Sequence, residues 1–287
     1  MITTIENNQI RVKISAKGAE LQSLYDLRKG EERLWQADPS IWGKRAPVLF
    51  PVVGTLKDGC YKHEDNWYKI GRHGFARDCE FKLVEQTEET AVFELSADEK
   101  SLNIYPFDFR FRIHYGIKGT ALTVKYEIKN CGDGEMYFSV GAHPGFFCNL
   151  ESGKSYLKIT GDLRETHELL CVSIDTGLIT PAIKTLNTPD ATIWLSKPLF
   201  DEDALVLKGD GITGFVMGDE RGDTLKFNCA NYPYIGIWSP KGPFICLEPW
   251  HGIADFENSN QVLAHKHAIR KLSGNEMFDC DYSIEIL

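Results

Sequence analysis

No stretch of the 287-residue chain approaches the roughly 18 consecutive apolar residues of a membrane span, which argues against an ordinary transmembrane helix. Its start, Met1-Ile2-Thr3-Thr4-Ile5-Glu6-Asn7-Asn8, lacks a basic segment followed by an apolar one, so no export signal is read there. Positive charge is in deficit: 32 Lys and Arg face 41 Asp and Glu, for a formal net charge of −9. Nucleic acid and anionic membrane surfaces are therefore poor general partners, although a local basic pocket remains compatible with that total. Eight cysteines are scattered without a Cys-x-x-Cys pair, which removes support for a cysteine zinc site. With no export signal and a chain that is not small, they read as reduced thiols of a cytoplasmic protein. Pro/Ser-rich linkers, low-complexity tracts and short repeats are absent as well. One domain over residues 1–287 is the expected organisation.

Period-two alternation is what the chain has in abundance. Phe109, Phe111, Ile113, Tyr115 and Ile117 alternate with Arg110, Arg112, His114 and Gly116. Leu122, Val124, Tyr126 and Ile128 alternate with Thr123, Lys125 and Glu127, and the same pattern opens the chain at 10–14 and closes it at 282–286. Turn signals such as Lys57-Asp58-Gly59 and Gly209-Asp210-Gly211 separate the runs. The fold class is all-β, an antiparallel sandwich or barrel. Helix is expected only as short pieces around 38–42 and 96–104, and residues 149–200 as long loops.

Three short segments each set an acid–base residue beside glycine or proline among aromatics. They are Gly71-Arg72-His73-Gly74-Phe75-Ala76-Arg77, Gly141-Ala142-His143-Pro144-Gly145-Phe146-Phe147 and Cys246-Leu247-Glu248-Pro249-Trp250. Glycine admits close approach of a ligand to the backbone, and a residue before proline is driven toward extended conformation. Two histidines and a carboxylate suit general acid–base catalysis. Phe50, Phe75, Phe146, Phe147, Trp238 and Trp250 offer apolar faces for a sugar ring, and Arg45 and Arg77 offer hydrogen bonds to hydroxyls or a phosphate. Each residue also has a structural reading: a core aromatic, a surface ion pair for Arg77, a hydrogen-bonded histidine. His251 and the pair His265 and His267 raise a metal site as a competing reading, which the spacing does not favour. His114, among arginines on a polar strand face, reads as solvent-exposed.

In order and spacing these motifs, with Gly18-Ala19-Glu20-Leu21 and Arg45-Ala46-Pro47-Val48-Leu49-Phe50-Pro51, resemble the aldose 1-epimerases (mutarotases), most closely the bacterial LacX-type branch. The likeness covers nearly the whole chain. It implies a galactose-mutarotase-like β-supersandwich binding a hexose such as galactose, with no cofactor and no metal. It further implies Glu248 as the base on the anomeric hydroxyl, His143 as the acid on the ring oxygen and His73 as the assisting histidine. Arg45 matches a substrate-binding arginine, and Asp203 is the position chosen for the family's binding aspartate. The alternatives are a hexose-6-phosphate epimerase, with Lys44, Arg45, Arg72 and Arg77 on the phosphate, and a non-catalytic sugar-binding protein on the same fold. A monomer and a homodimer are equally acceptable. Such a mechanism needs Glu248 ionised and His143 protonated. Mutual attraction is then expected to raise the histidine, with Glu248 on the acid limb of the pH–rate profile and His143 on the basic limb.

Overall fold

A computed structural model describes residues 1–287. Its longest hairpin is built from the clearest alternation in the sequence. Phe109–Lys118 and Ala121–Asn130 pair antiparallel, with Tyr126 opposite Ile113 and Ile128 opposite Phe111. The odd positions of the first strand and the even positions of the second are buried from end to end. Their other face carries a charge ladder in which Arg112 donates to Glu94 at 2.7 Å and Arg110 lies 3.5 Å from Glu127. His114 joins that ladder 3.7 Å from Glu127 and is half-buried rather than freely exposed.

This hairpin lies within a nine-stranded antiparallel sheet that runs from Thr192–Trp194 at one edge to Lys82–Gln86 at the other. The closing strand Met277–Ile286 joins Ala121–Asn130 to Gly222–Asn228, so the end of the chain sits at the middle of the sheet. A seven-stranded sheet holds Val140–Gly141, Gly145–Phe147, Phe244–His251, Tyr234–Trp238, Leu205–Lys208, Thr166–Val172 and Ile179–Asn187. A four-stranded sheet is formed by residues 2–32. One apolar cluster of 62 buried residues draws on all three sheets, including Val12, Phe111 and Leu247. Burying side chains of this size on such a scale is the main favourable term in folding, at about 25 cal/mol per Å² of apolar surface.

The all-β expectation holds, with one α-helix, Glu99–Leu102, capped by Asp98. A hydrogen-bonded turn also occurs at 38–42. Residues 149–200 depart from expectation: they contain the strands Tyr156–Thr160, Thr166–Val172, Ile179–Asn187 and Thr192–Trp194. Ile179–Asn187 is an edge strand whose residues 181–185 are all exposed, so no buried face imprints alternation on its sequence. All eight cysteines are unpaired.

Candidate active site

The strand Phe244–His251 is buried along its whole length and lies second from one edge of the seven-stranded sheet. On one side Val140–Gly141 and Gly145–Phe147 flank it as an interrupted strand in a single register, with Gly141 opposite Trp250 and Gly145 opposite Cys246. Carried through the gap, that register sets His143 opposite Glu248. Both are followed by proline, which has no N–H, so the ladder here rests on Ala142 N–H to Pro249 O and Leu247 N–H to Pro144 O. Directly opposed side chains on one sheet face meet closely. His143 Nε2 accordingly lies 3.2 Å from Glu248 Oε2. Sheet register alone thus brings together two residues 105 positions apart in the chain.

His143 is also enclosed by aromatics. Trp42 stacks on the imidazole at 5.0 Å and 26°, and Trp238 meets it edge-on at 5.7 Å and 80°. Its Nδ1 is buried without a hydrogen-bond partner.

His73 approaches from the turn 71–74, its ring 5.8 Å from that of His143. Its backbone is left-handed, with φ of +68°, a conformation in which histidine is over-represented among non-glycine residues. Two reciprocal bonds fix it to Gly54: His73 N–H donates to Gly54 O at 2.9 Å, and Gly54 N–H donates to His73 Nδ1 at 3.1 Å. On its other edge Arg72 Nε lies 3.3 Å from His73 Nε2, so both ring nitrogens face N–H donors. Burial, with His143, Arg72 and Arg77 nearby, holds His73 well below the ordinary histidine range. The following Gly74 has φ of +71°, and a Cβ there would lie 2.2 Å from Phe50 O. Gly74→Ala is therefore expected to destabilise the fold by about 1–3 kcal/mol through this overpacking, read as a lowered urea midpoint. An unchanged midpoint would show that the turn does not press on Phe50.

These groups line a cavity of about 320 Å³, within the roughly 300–1,000 Å³ typical of small-molecule sites. Glu248, His143, His73, Arg77, Asp203 and Trp250 all face it, together with Trp42, Lys44, Arg72 and Trp238. Asp203 sits in a left-handed turn with φ of +73°. The Trp250 ring rests on bare backbone, since a Cβ on Gly141 or Gly236 would come within 2.6 Å of the indole. A larger groove of about 800 Å³ around Phe147, Asn149 and Arg221 contains none of the acid–base residues.

Two expected positions fall outside the cavity. Arg45 is turned away, its Nη1 donating to Gln22 at 2.7 Å and its Nη2 to the Gln36 carbonyl, while its neighbour Lys44 lines the cavity instead. Phe147 stands four residues beyond His143, about 13 Å along extended chain. It is half-exposed and packs edge-on against Trp35 at 5.7 Å. Both assignments are corrected on these grounds. Trp42 went unnoticed in the sequence because it lies in a short turn, 101 residues from the histidine that it covers.

Burial also opposes the charge states expected of the pair. Burial pushes Glu248 well above the carboxylate range, opposed by Arg72 and reinforced by Asp203. Burial takes His143 down to about 3, with Arg72 and Arg77 adding to the shift. Burial opposes the charged form of both groups and so works against the attraction within the pair. Lys44 and Arg77 have no carboxylate nearer than Asp78, at 3.8 Å from each.

Comparison with known proteins shows the family and the fold. The family model described as aldose 1-epimerase matches residues 1–255. The chromosomal LacX protein of Lactococcus lactis subsp. lactis is 30% identical, with 100% of each chain covered. Among solved structures, a galactose mutarotase related enzyme from Lactobacillus acidophilus superposes with a TM-score of 0.93 at 33% identity, covering 100% of this chain and 97% of that one. A galactose mutarotase-like protein from Lactobacillus casei gives 0.94 at 25% identity, with 100% of both chains covered. The galactose-mutarotase-like fold expected from the sequence is thereby borne out.

Proposed function

This chain belongs to the aldose 1-epimerase family, and from that premise we propose that it interconverts the α and β anomers of a hexose bound in the cavity of Glu248, His143 and His73. The observation that carries this reading is the 3.2 Å spacing of His143 Nε2 and Glu248 Oε2. An acid and a base so close can straddle two oxygens on one carbon, which is the arrangement at an anomeric centre.

Glu248 takes the proton of the C1 hydroxyl, the bond from C1 to the ring oxygen breaks, and His143 supplies a proton to that oxygen. The open aldehyde turns about the C1–C2 bond. Closure on the other face returns one proton from the ring hydroxyl to His143 and the other from Glu248 to the anomeric oxygen. The pair holds one proton in total before and after. Sugar hydroxyls donating to the Glu248 carboxylate favour the charged arrangement that begins the cycle. His73 assists beside His143 at the reacting oxygens, and Asp203 and Arg77 bind outlying hydroxyls. Trp250 and Trp42 offer the apolar faces. No step calls for a cofactor. One domain and a monomer or homodimer complete this reading.

The charge states set the pH dependence. The titration belongs to the pair, and its active form is the one-proton state. Glu248 is raised, so the shared proton leaves only well above the ordinary carboxylate range; His143 is lowered to about 3, so a second proton enters only in strong acid. We therefore expect kcat/KM to show no acid limb in the usual histidine range, and its upper limb to follow loss of the Glu248 proton above the ordinary carboxylate range. The limbs are the reverse of those expected from attraction alone. Polarimetry across that range checks it. An acid limb centred near 6.5, the unperturbed histidine value, would contradict the assignment.

Lys44, Arg72 and Arg77 on one cavity wall favour a second reading in which the hexose carries a phosphate. Hydrogen bonds to charged groups are worth about 1.5–3 kcal/mol. On that reading Arg72→Ala raises KM for a hexose 6-phosphate by roughly 10–100-fold and leaves that for the free hexose within a few-fold. Equal changes for both would remove the phosphate.

A further inference from the structure

Alternation along Phe244–His251 puts Cys246 on the same face as Glu248, and His143 stands opposite. Donor atoms of His143, Cys246 and Glu248 all lie within 4.8 Å of one another, and all three residues are buried. No other group of three His, Cys, Asp or Glu side chains in the chain meets this condition. The 3.2 Å between Nε2 and Oε2 is close to the ~3.3 Å edge of a tetrahedron with zinc–nitrogen and zinc–oxygen bonds of about 2.0–2.1 Å. His143 Nε2 is the ring nitrogen that faces Glu248. Cys246 lies behind the pair, against Trp35 and Phe244, and has no part in the proton transfers above. Burial keeps its thiol protonated, well above the ordinary range; a coordinated cation deprotonates such a thiol outright. One sulfur, one imidazole and one carboxylate suit zinc better than magnesium or calcium, which prefer oxygen. His143 and Glu248 both face the cavity, which leaves a fourth position for water.

We propose that His143, Cys246 and Glu248 form a zinc-binding site at the inner wall of the cavity, and that zinc held there stops anomer exchange by engaging the acid and the base together. The inhibition rests on the mutarotase reading; the binding does not. On binding, the Cys246 thiol proton and the proton shared by His143 and Glu248 both pass to solvent, so affinity rises with pH. Zinc is here an inhibitor competing with the sugar, not a cofactor.

The test titrates metal-free protein with zinc against a chromophoric chelator while anomer exchange is followed in parallel. The expected result is one tightly held zinc per chain, with exchange lost over the same concentration range and restored by excess chelator. Cys246→Ser should retain exchange without zinc. It should also weaken zinc by at least about 10–100-fold, the loss that even a supporting partner of a metal ligand causes. Cobalt(II) added to the wild type should give a thiolate-to-metal charge-transfer band that Cys246→Ser lacks. Equal zinc affinity in wild type and Cys246→Ser overturns the site. So does a wild-type cobalt spectrum without the thiolate band, and that readout does not depend on how well the variant folds. Thiolate-bound cobalt in a protein that never exchanges anomers upholds the site and removes the mutarotase reading instead.

Discussion

Glu248→Gln is expected to lower the rate of anomer exchange by about 10²–10⁴-fold, the usual worth of a positioned general base. Glutamine matches the shape of the side chain and holds no exchangeable carboxyl proton. Glu248 is 2% exposed and its carboxyl is held toward the neutral form, so a neutral amide imposes no new burial cost. The thermal midpoint should therefore stay near that of the wild type. Exchange measured by NMR, together with a melt followed by circular dichroism, separates chemistry from folding. A folded variant within a few-fold of wild type would mean that the anomeric proton goes elsewhere.

His143→Phe is expected to cost a similar 10²–10⁴-fold by removing the acid while keeping a ring between Trp42 and Trp238. Loss of rate alone could reflect a disturbed stack, so the pH profile is the sharper readout. With one titrating partner gone, the residual rate should follow Glu248 alone and rise with pH as its carboxyl ionises, whereas the wild type falls as Glu248 loses its proton. That change of sign distinguishes a lost acid from a displaced platform. A residual profile of wild-type shape would remove His143 from the proton transfers.

The parts of the fold that were legible in the sequence are those with one wet and one dry face. Phe109–Lys118 buries every second residue, so alternation gave it away. Phe244–His251 is buried throughout, and Ile179–Asn187 is exposed at 181–185, so neither carries that signal. The first was noticed for its chemistry, because a lone glutamate in an apolar run is costly, and the second was missed. Glycine and proline likewise marked three segments that the fold brings to one cavity. His143 and Glu248 face each other through a register that both prolines tolerate.

What stayed hidden depends on direction and on distance across the chain. Arg45 and Lys44 are neighbours in sequence, yet Lys44 faces the cavity and Arg45 is bonded to Gln22 and Gln36. Trp42 covers His143 through no pattern that spacing reveals. The electrostatics of the pair were only half visible for a physical reason. Attraction between an acid and a base is visible in residue types, but the burial that opposes it appears only once the walls of the cavity are known.

The most direct measurement is two-dimensional exchange NMR on freshly dissolved α-glucose, α-galactose, glucose 6-phosphate and galactose 6-phosphate, each with wild type and Glu248→Gln. Acceleration of at least one sugar by the wild type, largely lost in the variant, is the expected result, and the sugar that responds fixes the substrate and its phosphate state. Sugars that bind in the cavity with no acceleration of any of them would contradict it and make the chain a carbohydrate-binding member of its family.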